Sequence, residues 1–498
     1  AQALCCFPQV SRRQATGMKL SCALVAGAVA APEADLVDQL PGFNKTSFKV
    51  YSGLLDVPGP INGYDSLRIH YQFHTSLGNP SADPVVVWHQ GGPGGSSIVG
   101  AYLEMGYFQV SSDGTYVNPF SWNRVANMLY MESPAGSGQN YGYSQCIKGG
   151  KAVRCSWDDV NQGEAYAHTL SAFMKAFPEF ANNDLYLSGE SYFGQYGPNI
   201  AHYIVNNEPF KSGLNLKGLA LGNACWGGDA HSVACNGPNS ERNDVELYFG
   251  KGLFSPKLYK QIQAACKFPD TNGLKCQALL LEMRRQVGPH DVYNIYDNCP
   301  ATNDFLDRTG KDMTWLLTTL REGMADPAGT HETLTQMNGG YPYHCKSING
   351  ISQWLVRDDV RKALNLADAT PGASGFAYSS SGPASVTLYP ELVKKLRILI
   401  FNGDADSCVP YIGNEEWIGN LESQGVLKEK SPWTPWYTSN KATPAGYVTK
   451  YEIPEADTDF SFVTVRLSGH MVPEFRPEAG YQLFKDFIDA GKKQDIVV

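Results

Sequence analysis

Apolar residues come along this chain in short unbroken runs, separated by glycine-, proline- and polar-rich stretches. Pro84–Gln90 (PVVVWHQ), Ala126–Glu132 (ANMLYME), Asp184–Ser188, Leu216–Gly222 (LKGLALG), Leu396–Phe401 and Phe460–Leu467 are such runs. A strand with one wet face alternates apolar and polar residues, so unbroken runs predict strands covered on both sides. Phe48–Asp56 and Leu67–Thr75 read as an antiparallel pair joined by a proline- and glycine-bearing turn. Asp159–Phe177 has helical spacing, with Ala165, Leu170, Phe173 and Phe177 on one side, and Pro178 stops it. Asp358–Leu366 has helical spacing too. Buried strands alternating with helices predict an α/β class fold built on a doubly wound sheet.

One interruption breaks that alternation. Residues 225–350 mix short helical patterns with glycine- and proline-rich loops and hold half of the 12 cysteines. An insertion of this size between core strands reads as a cap or lid. The expected organisation is core over 32–224, cap over 225–350 and core again over 351–498. Ahead of it, Met18-Lys19 leads into LSCALVAGAVAA, and Ala28, Ala30 and Ala31 offer a small-residue cleavage site. That reads as a signal peptide over 18–31, too short to span a bilayer. Residues 1–17 are expected to be leader residues ahead of a natural start at Met18, with a longer charged segment as the alternative.

Export changes how the cysteines are read. Of the 12, setting aside Cys5, Cys6 and Cys22 leaves 9, which suggests four bridges and one thiol left over. Proximity pairs Cys146 with Cys155, Cys225 with Cys235, Cys266 with Cys276 and Cys299 with Cys345, leaving Cys408; sequence alone does not fix this connectivity. Asn44-Lys45-Thr46 is an N-glycosylation sequon, whereas Asn79-Pro80-Ser81 is disqualified by its proline. A net charge of −9 argues against nucleic acid and anionic membrane surfaces as partners. No later stretch reaches the roughly 18 apolar residues of a membrane span. No His-Glu-x-x-His or Cys-x-x-Cys spacing occurs, so no metal and no cofactor is expected.

The chemistry starts at Asp184–Pro198 (DLYLSGESYFGQYGP), which reads as strand, tight turn and helix, with Gly189-Glu190-Ser191 in the turn. A serine on such an elbow has an exposed hydroxyl and the positive end of a helix behind it. Gly-x-Ser alone is weak. Four further motifs accompany it: Trp88–Ser97 (WHQGGPGGSS), Glu132–Gly138 (ESPAGSG), Gly403–Asp406 (GDAD) and Gly469–Pro473 (GHMVP). With these five motifs in this order, the chain resembles the serine carboxypeptidases, secreted or vacuolar and lysosomal exopeptidases with an α/β-hydrolase fold and an inserted cap.

The resemblance implies a role for each motif. Ser191 would be the nucleophile, His470 the general base and later acid, and Asp406 the group that orients the imidazole, with Asp404 as its rival. The order serine, aspartate, histidine is that of α/β-hydrolases. Backbone N–H groups of Gly92 and Tyr192 would form the oxyanion hole. The Gln90 side chain, the Gly91 N–H, Glu104 and Glu190 would bind the substrate's C-terminal carboxylate, and Met471 would line the leaving-residue side. No Arg or Lys is assigned there, so the two glutamates can hold an anion only by sharing a proton. That selects free chain ends and implies an acidic optimum. Cys299–Cys345 resembles a bridge the family keeps.

Three positions depart from the family pattern. Phe193 stands where a small residue is usual, so either the ring points outward or the site is altered. Gln90 replaces asparagine, one methylene longer with the same amide. Gly95 replaces a cysteine whose usual partner is also missing. His89 has no assigned role beyond packing, and Cys408 lies two residues from Asp406. The expected activity is release of C-terminal amino acids from peptides and proteins in the secretory pathway, extracellular or vacuolar/lysosomal. An acyltransferase on the same scaffold and a non-catalytic protective or binding partner are the alternatives. The oligomeric state stays open, a homodimer included.

Overall fold

The computed structural model describes residues 32–111, 114–227, 235–297, 348–382, 384–439 and 443–492. The expected leader, the signal peptide over 18–31 and the Cys299–Cys345 pair lie outside the described residues. From the amino end come β1 (Leu36–Val37), β2 (Val50–Ile61), β3 (Tyr64–His74) and β4 (Val85–His89). A small hairpin follows, β5 (Phe108–Ser111) and β6 (Gly114–Val117), then β7 (Asn127–Met131), β8 (Gln145–Lys148), β9 (Lys151–Val153) and β10 (Cys155–Asp158). The rest are β11 (Leu185–Glu190), β12 (Leu216–Gly222), β13 (Phe376–Ser379), β14 (Arg397–Gly403), β15 (Lys428–Trp436), β16 (Gly446–Glu452) and β17 (Asp459–Val465).

Thirteen of these strands form one sheet, ordered β1-β2-β3-β7-β4-β11-β12-β14-β17-β16-β15, with β8 and β9 joined to β3. Its centre, from β7 to β17, is parallel, and its flanks are antiparallel. The unbroken apolar runs are these central strands. Each is covered on both faces: Leu187 and Ile400 enter the core on one side, Tyr186 and Leu399 the core on the other. Helices Asn161–Ala176 and Phe193–Asn206 pack on the first face, and Ile98–Leu103 and Pro477–Lys492 on the second. The turn between β2 and β3 is Asn62-Gly63, both at positive φ (48° and 75°), rather than a proline–glycine turn. Two left-handed residues suit the twist of a tight hairpin.

The inserted segment carries its own small core. Helices Ser240–Gly250, Pro256–Ala265 and Leu274–Val287 bury Val245, Leu258, Ile262, Leu280 and Met283 together. Ser255 accepts from the N–H of Leu258 and Pro256 opens the second helix, which fixes where it starts. The bridges Cys146–Cys155, Cys225–Cys235 and Cys266–Cys276 are formed, and Cys408 stands outside them as a half-buried thiol. Such bridges fit an oxidising compartment. Among the described residues no helix is long and apolar enough to cross a membrane, and no cluster of metal-binding side chains is found.

The parallel centre places the site. His89, Glu190, Gly222, Gly403 and Val465 end β4, β11, β12, β14 and β17. Five adjacent strands finish at the same edge of the sheet, so the loops that follow them converge there.

Candidate active site

Ser191 follows β11 and precedes the helix Phe193–Asn206 by one residue. Its φ of +60° is left-handed, a strained state for a side chain with a Cβ. The turn is over-determined by its bonds. The Ser191 N–H donates to Gly222 O at 3.0 Å, and Ser191 O accepts from the N–H of Cys225 at 2.9 Å and of Gly194 at 2.9 Å. A Cβ at Gly194 would sit 2.0 Å from Cys225 O, so only glycine fits there.

Phe193 departs from the expectation of an outward-pointing ring. The ring points inward, 1% exposed, and the elbow is intact. It stacks on His89 with centroids 5.4 Å apart. It also lies over two glycines: a Cβ at Gly189 or Gly197 would come within 2.5 or 2.8 Å of it. His89 packs against Tyr166 and Tyr196 as well, and its Nδ1–H donates to Gln90 O. Burial pushes its imidazole down to about 4, so it is a neutral packing residue. Phe193→Ala is expected to cost about 3–5 kcal/mol of stability, the range for deleting a buried ring; a urea melt losing less than about 1 kcal/mol would show the slot collapses without it.

Asp406 and His470 come from the loops after β14 and β17. Asp406 Oδ2 accepts from His470 Nδ1 at 2.6 Å, which fixes the tautomer and leaves Nε2 buried with no hydrogen-bond partner among the described residues. Three other donors hold the carboxylate. Asn223 Nδ2 donates to Oδ2 at 2.7 Å, and the N–H groups of Cys408 and Val409 donate at 2.8 and 3.2 Å. Asp404 is committed elsewhere, to the Leu467 N–H and to Lys251. The inserted segment also reaches this corner: the His470 N–H donates to Tyr293 O at 2.7 Å, and the two rings lie 4.9 Å apart. Sequence reading missed Asn223 and Tyr293. Asn223 follows an apolar strand at φ +39°, and an asparagine just past a strand end was the one local signal.

The glycine loop after β4 meets the elbow directly. A Cβ on Gly91 would lie 2.4 Å from the Tyr192 N and 2.6 Å from the Ser191 Cβ, so backbone touches backbone only because the residue is glycine. Gly92, at φ +121°, turns the loop beside it. Gly95 bears no cross-link; its neighbour Gly94 is covered by the ring of Phe376, which a Cβ there would meet at 2.6 Å.

Glu190 and Glu104 are both nearly fully buried, at 2% and 1% exposure. The Glu104 carboxyl acts directly on that of Glu190 and disfavours its ionisation. Gln90 Nε2 donates to Glu190 Oε1 at 2.5 Å while its Oε1 accepts from Trp88 Nε1 at 3.1 Å. The longer amide thus sits in one fixed orientation. Burial first, then the charge of Glu104 and the hydrogen bond to it, hold the Glu190 carboxyl well above its ordinary value, with Glu474 and Asp406 adding to the same direction. Glu474 is itself buried in the turn after His470. Met471 is half-buried at the start of that turn, and Asn44 is exposed.

A serine, an aspartate and a histidine on the carboxyl-end loops of the parallel centre of a mixed sheet, in that chain order, are the arrangement of the α/β-hydrolases. The model of the serine carboxypeptidase family matches residues 41–490, and the chain belongs to that family of serine-type hydrolases. It is 31% identical over 487 residues to the lysosomal protective protein of Mus musculus, covering 92% of this chain and 94% of that one. It is also 31% identical over 491 residues to serine carboxypeptidase ctsa-4.1 of Caenorhabditis elegans, covering 93% and 94%. Among solved structures, it shares the fold of a prohormone-processing carboxypeptidase of Saccharomyces cerevisiae, Kex1, with a TM-score of 0.59 at 20% identity, covering 92% and 96%.

Proposed function

We propose that the chain releases C-terminal amino acids from peptides through an acyl-enzyme on Ser191. The observation that carries this reading is the buried pair of Glu190 and Glu104 immediately beside the elbow serine, in which Glu104 disfavours ionisation of Glu190. In the reading, the substrate's terminal carboxylate binds between that pair, the Gln90 amide and the Gly91 N–H. The last peptide carbonyl then lies against Ser191. The Ser191 hydroxyl oxygen attacks the carbonyl carbon while His470 Nε2 takes its proton. The oxyanion is held by the N–H groups of Gly92 and Tyr192, and Asp406 stabilises the imidazolium. The nitrogen of the terminal residue takes the proton back and leaves as a free amino acid. Water repeats the sequence on the ester and frees Ser191. Met471 lines the side from which the amino acid departs.

The disulfides and the relatives support the secretory route as the compartment, extracellular or vacuolar/lysosomal. The test is a pH-resolved assay of the purified protein on blocked dipeptides, with their C-terminal amides as controls. Free carboxylates should be cleaved at least about 100-fold faster than amides, with activity falling from pH 5 to 8. Equal rates on both would remove the carboxylate-recognition reading. Preferred transfer of the acyl group to an added alcohol or amine over water would replace the hydrolase by an acyltransferase.

A further inference from the structure

Among the described strands, β13 pairs only with β10, in parallel register from Cys155 with Phe376 to Asp158 with Ser379, and stands apart from the main sheet. Two of its side chains reach opposite sides of the site. The ring of Phe376 covers Gly94, two residues past Gly92. Tyr378, stacked on Phe376 at 6.1 Å, donates its hydroxyl to Asp159 Oδ1 at 2.7 Å. The Tyr192 hydroxyl donates to the same oxygen at 2.9 Å, and the Ser381 N–H donates to Oδ2 at 2.9 Å. Asp159, one residue past β10, is 5% exposed and so gathers three donors out of water. The rings of Tyr192, Tyr196 and Tyr378 meet edge to face at 5.2–5.6 Å, locking the group sideways.

We propose that β13 clamps the two oxyanion donors at their working separation: Phe376 presses the glycine loop that carries Gly92, and Tyr378, through Asp159, holds Tyr192. This rests on the reading of Gly92 and Tyr192 as the donors. The need for a clamp follows from the backbone. Gly91, Gly92, Gly94 and Gly95 give the loop wide conformational freedom, and Ser191 beside it is strained. An oxyanion is stabilised only by donors about 2.7–3.1 Å from it, so a shift of about half an ångström loses much of the effect. Phe376, Tyr378 and Asp159 touch no reacting atom; they are positioning residues. A carboxylate that merely stapled β10 to β13 would affect how much protein folds, not how fast each folded molecule turns over.

The experiment is Tyr378→Phe, Tyr192→Phe, the double variant and Phe376→Ala in the full chain, each with its active serines counted by a fluorophosphonate. Tyr192→Phe keeps the backbone N–H and loses only the hydroxyl. We expect kcat per titrated serine to fall about tenfold in each tyrosine variant, below the 10²–10³ of a lost donor. KM should stay within about twofold. The double variant should be no worse than either single one, because both hydroxyls act through one carboxylate. The rate of phosphonylation should fall by the same factor as kcat. Wild-type kcat per titrated serine in Tyr378→Phe and Phe376→Ala overturns the clamp and leaves the carboxypeptidase reading standing. A raised KM with normal phosphonylation also overturns it, placing β13 in substrate binding. A wild-type protein that resists phosphonylation removes the oxyanion reading and the clamp with it.

Discussion

Ser191→Ala is expected to lower kcat for peptide hydrolysis by a factor on the order of 10⁵–10⁶, with the melting temperature within a few degrees of the parent. The fold should survive because the elbow is held by the Ser191 amide and carbonyl, bonded to Gly222, Cys225 and Gly194, and alanine keeps both. The rate should collapse because, on the proposed reading, Ser191 is the nucleophile and His470, oriented by Asp406, is its base. His470→Ala should cost as much, and the double variant no more than either, since the two act as one unit. Asp406→Asn is the finer test. It leaves the geometry but turns a donor toward His470 Nδ1, which now donates to Asp406 Oδ2, and so favours the wrong tautomer at a cost of about 10⁴. Turnover above about 1% of the parent in Ser191→Ala, measured on a blocked dipeptide with contaminating protease titrated out, would assign the activity elsewhere.

How far the sequence could be read follows from how local each feature is. A buried parallel strand announces itself as a continuous apolar run, and the six runs are the six strands of the parallel centre within a residue or two. β15 gave no such signal. KEKSPWTPW is an exposed edge strand with two prolines and three charges, and edge strands are kept polar to block further pairing. The site divides the same way. The serine, the acidic neighbour, the aspartate and the histidine each sit in a compact motif of four to seven residues that the chain spells out. Asn223 reaches Asp406 across 183 residues and Tyr378 reaches Asp159 across 219, and neither pairing leaves a mark in its own neighbourhood. Phe193 is the instructive misreading. Judged against the crowded elbow it belongs outside, yet Gly189 and Gly197 on one side and His89 on the other leave a slot for its ring. The information that admits it is spread over three other positions, and single-position reasoning misses it.

Glu190→Gln separates recognition from stability, and the two effects run in opposite directions. At pH 5 the pair holds its proton and can meet a carboxylate with one donor. As pH rises through the raised value of Glu190, that proton is lost and two buried anions face the incoming one. KM for peptides should therefore climb with pH, more than kcat falls. In Glu190→Gln the neutral amide still accepts from Gln90 but no longer shares a proton with Glu104. KM at pH 5 should rise about tenfold, a loss of about 1.4 kcal/mol of binding, and its pH dependence should flatten. Stability follows from the same proton. The unfolded carboxyl titrates near 4.5, and the folded one well above that. Between the two values the folded chain binds more protons than the unfolded chain. Stability from this group is therefore fully present below about 4.5 and is lost as pH rises through the folded value, at up to about 1.4 kcal/mol per pH unit. The substituted amide does not titrate, so the variant should melt higher than the parent, by a margin that widens from pH 5 to 8. A margin that does not change with pH would mean the pair carries no shared proton, and recognition of the chain end would then need another source of positive charge.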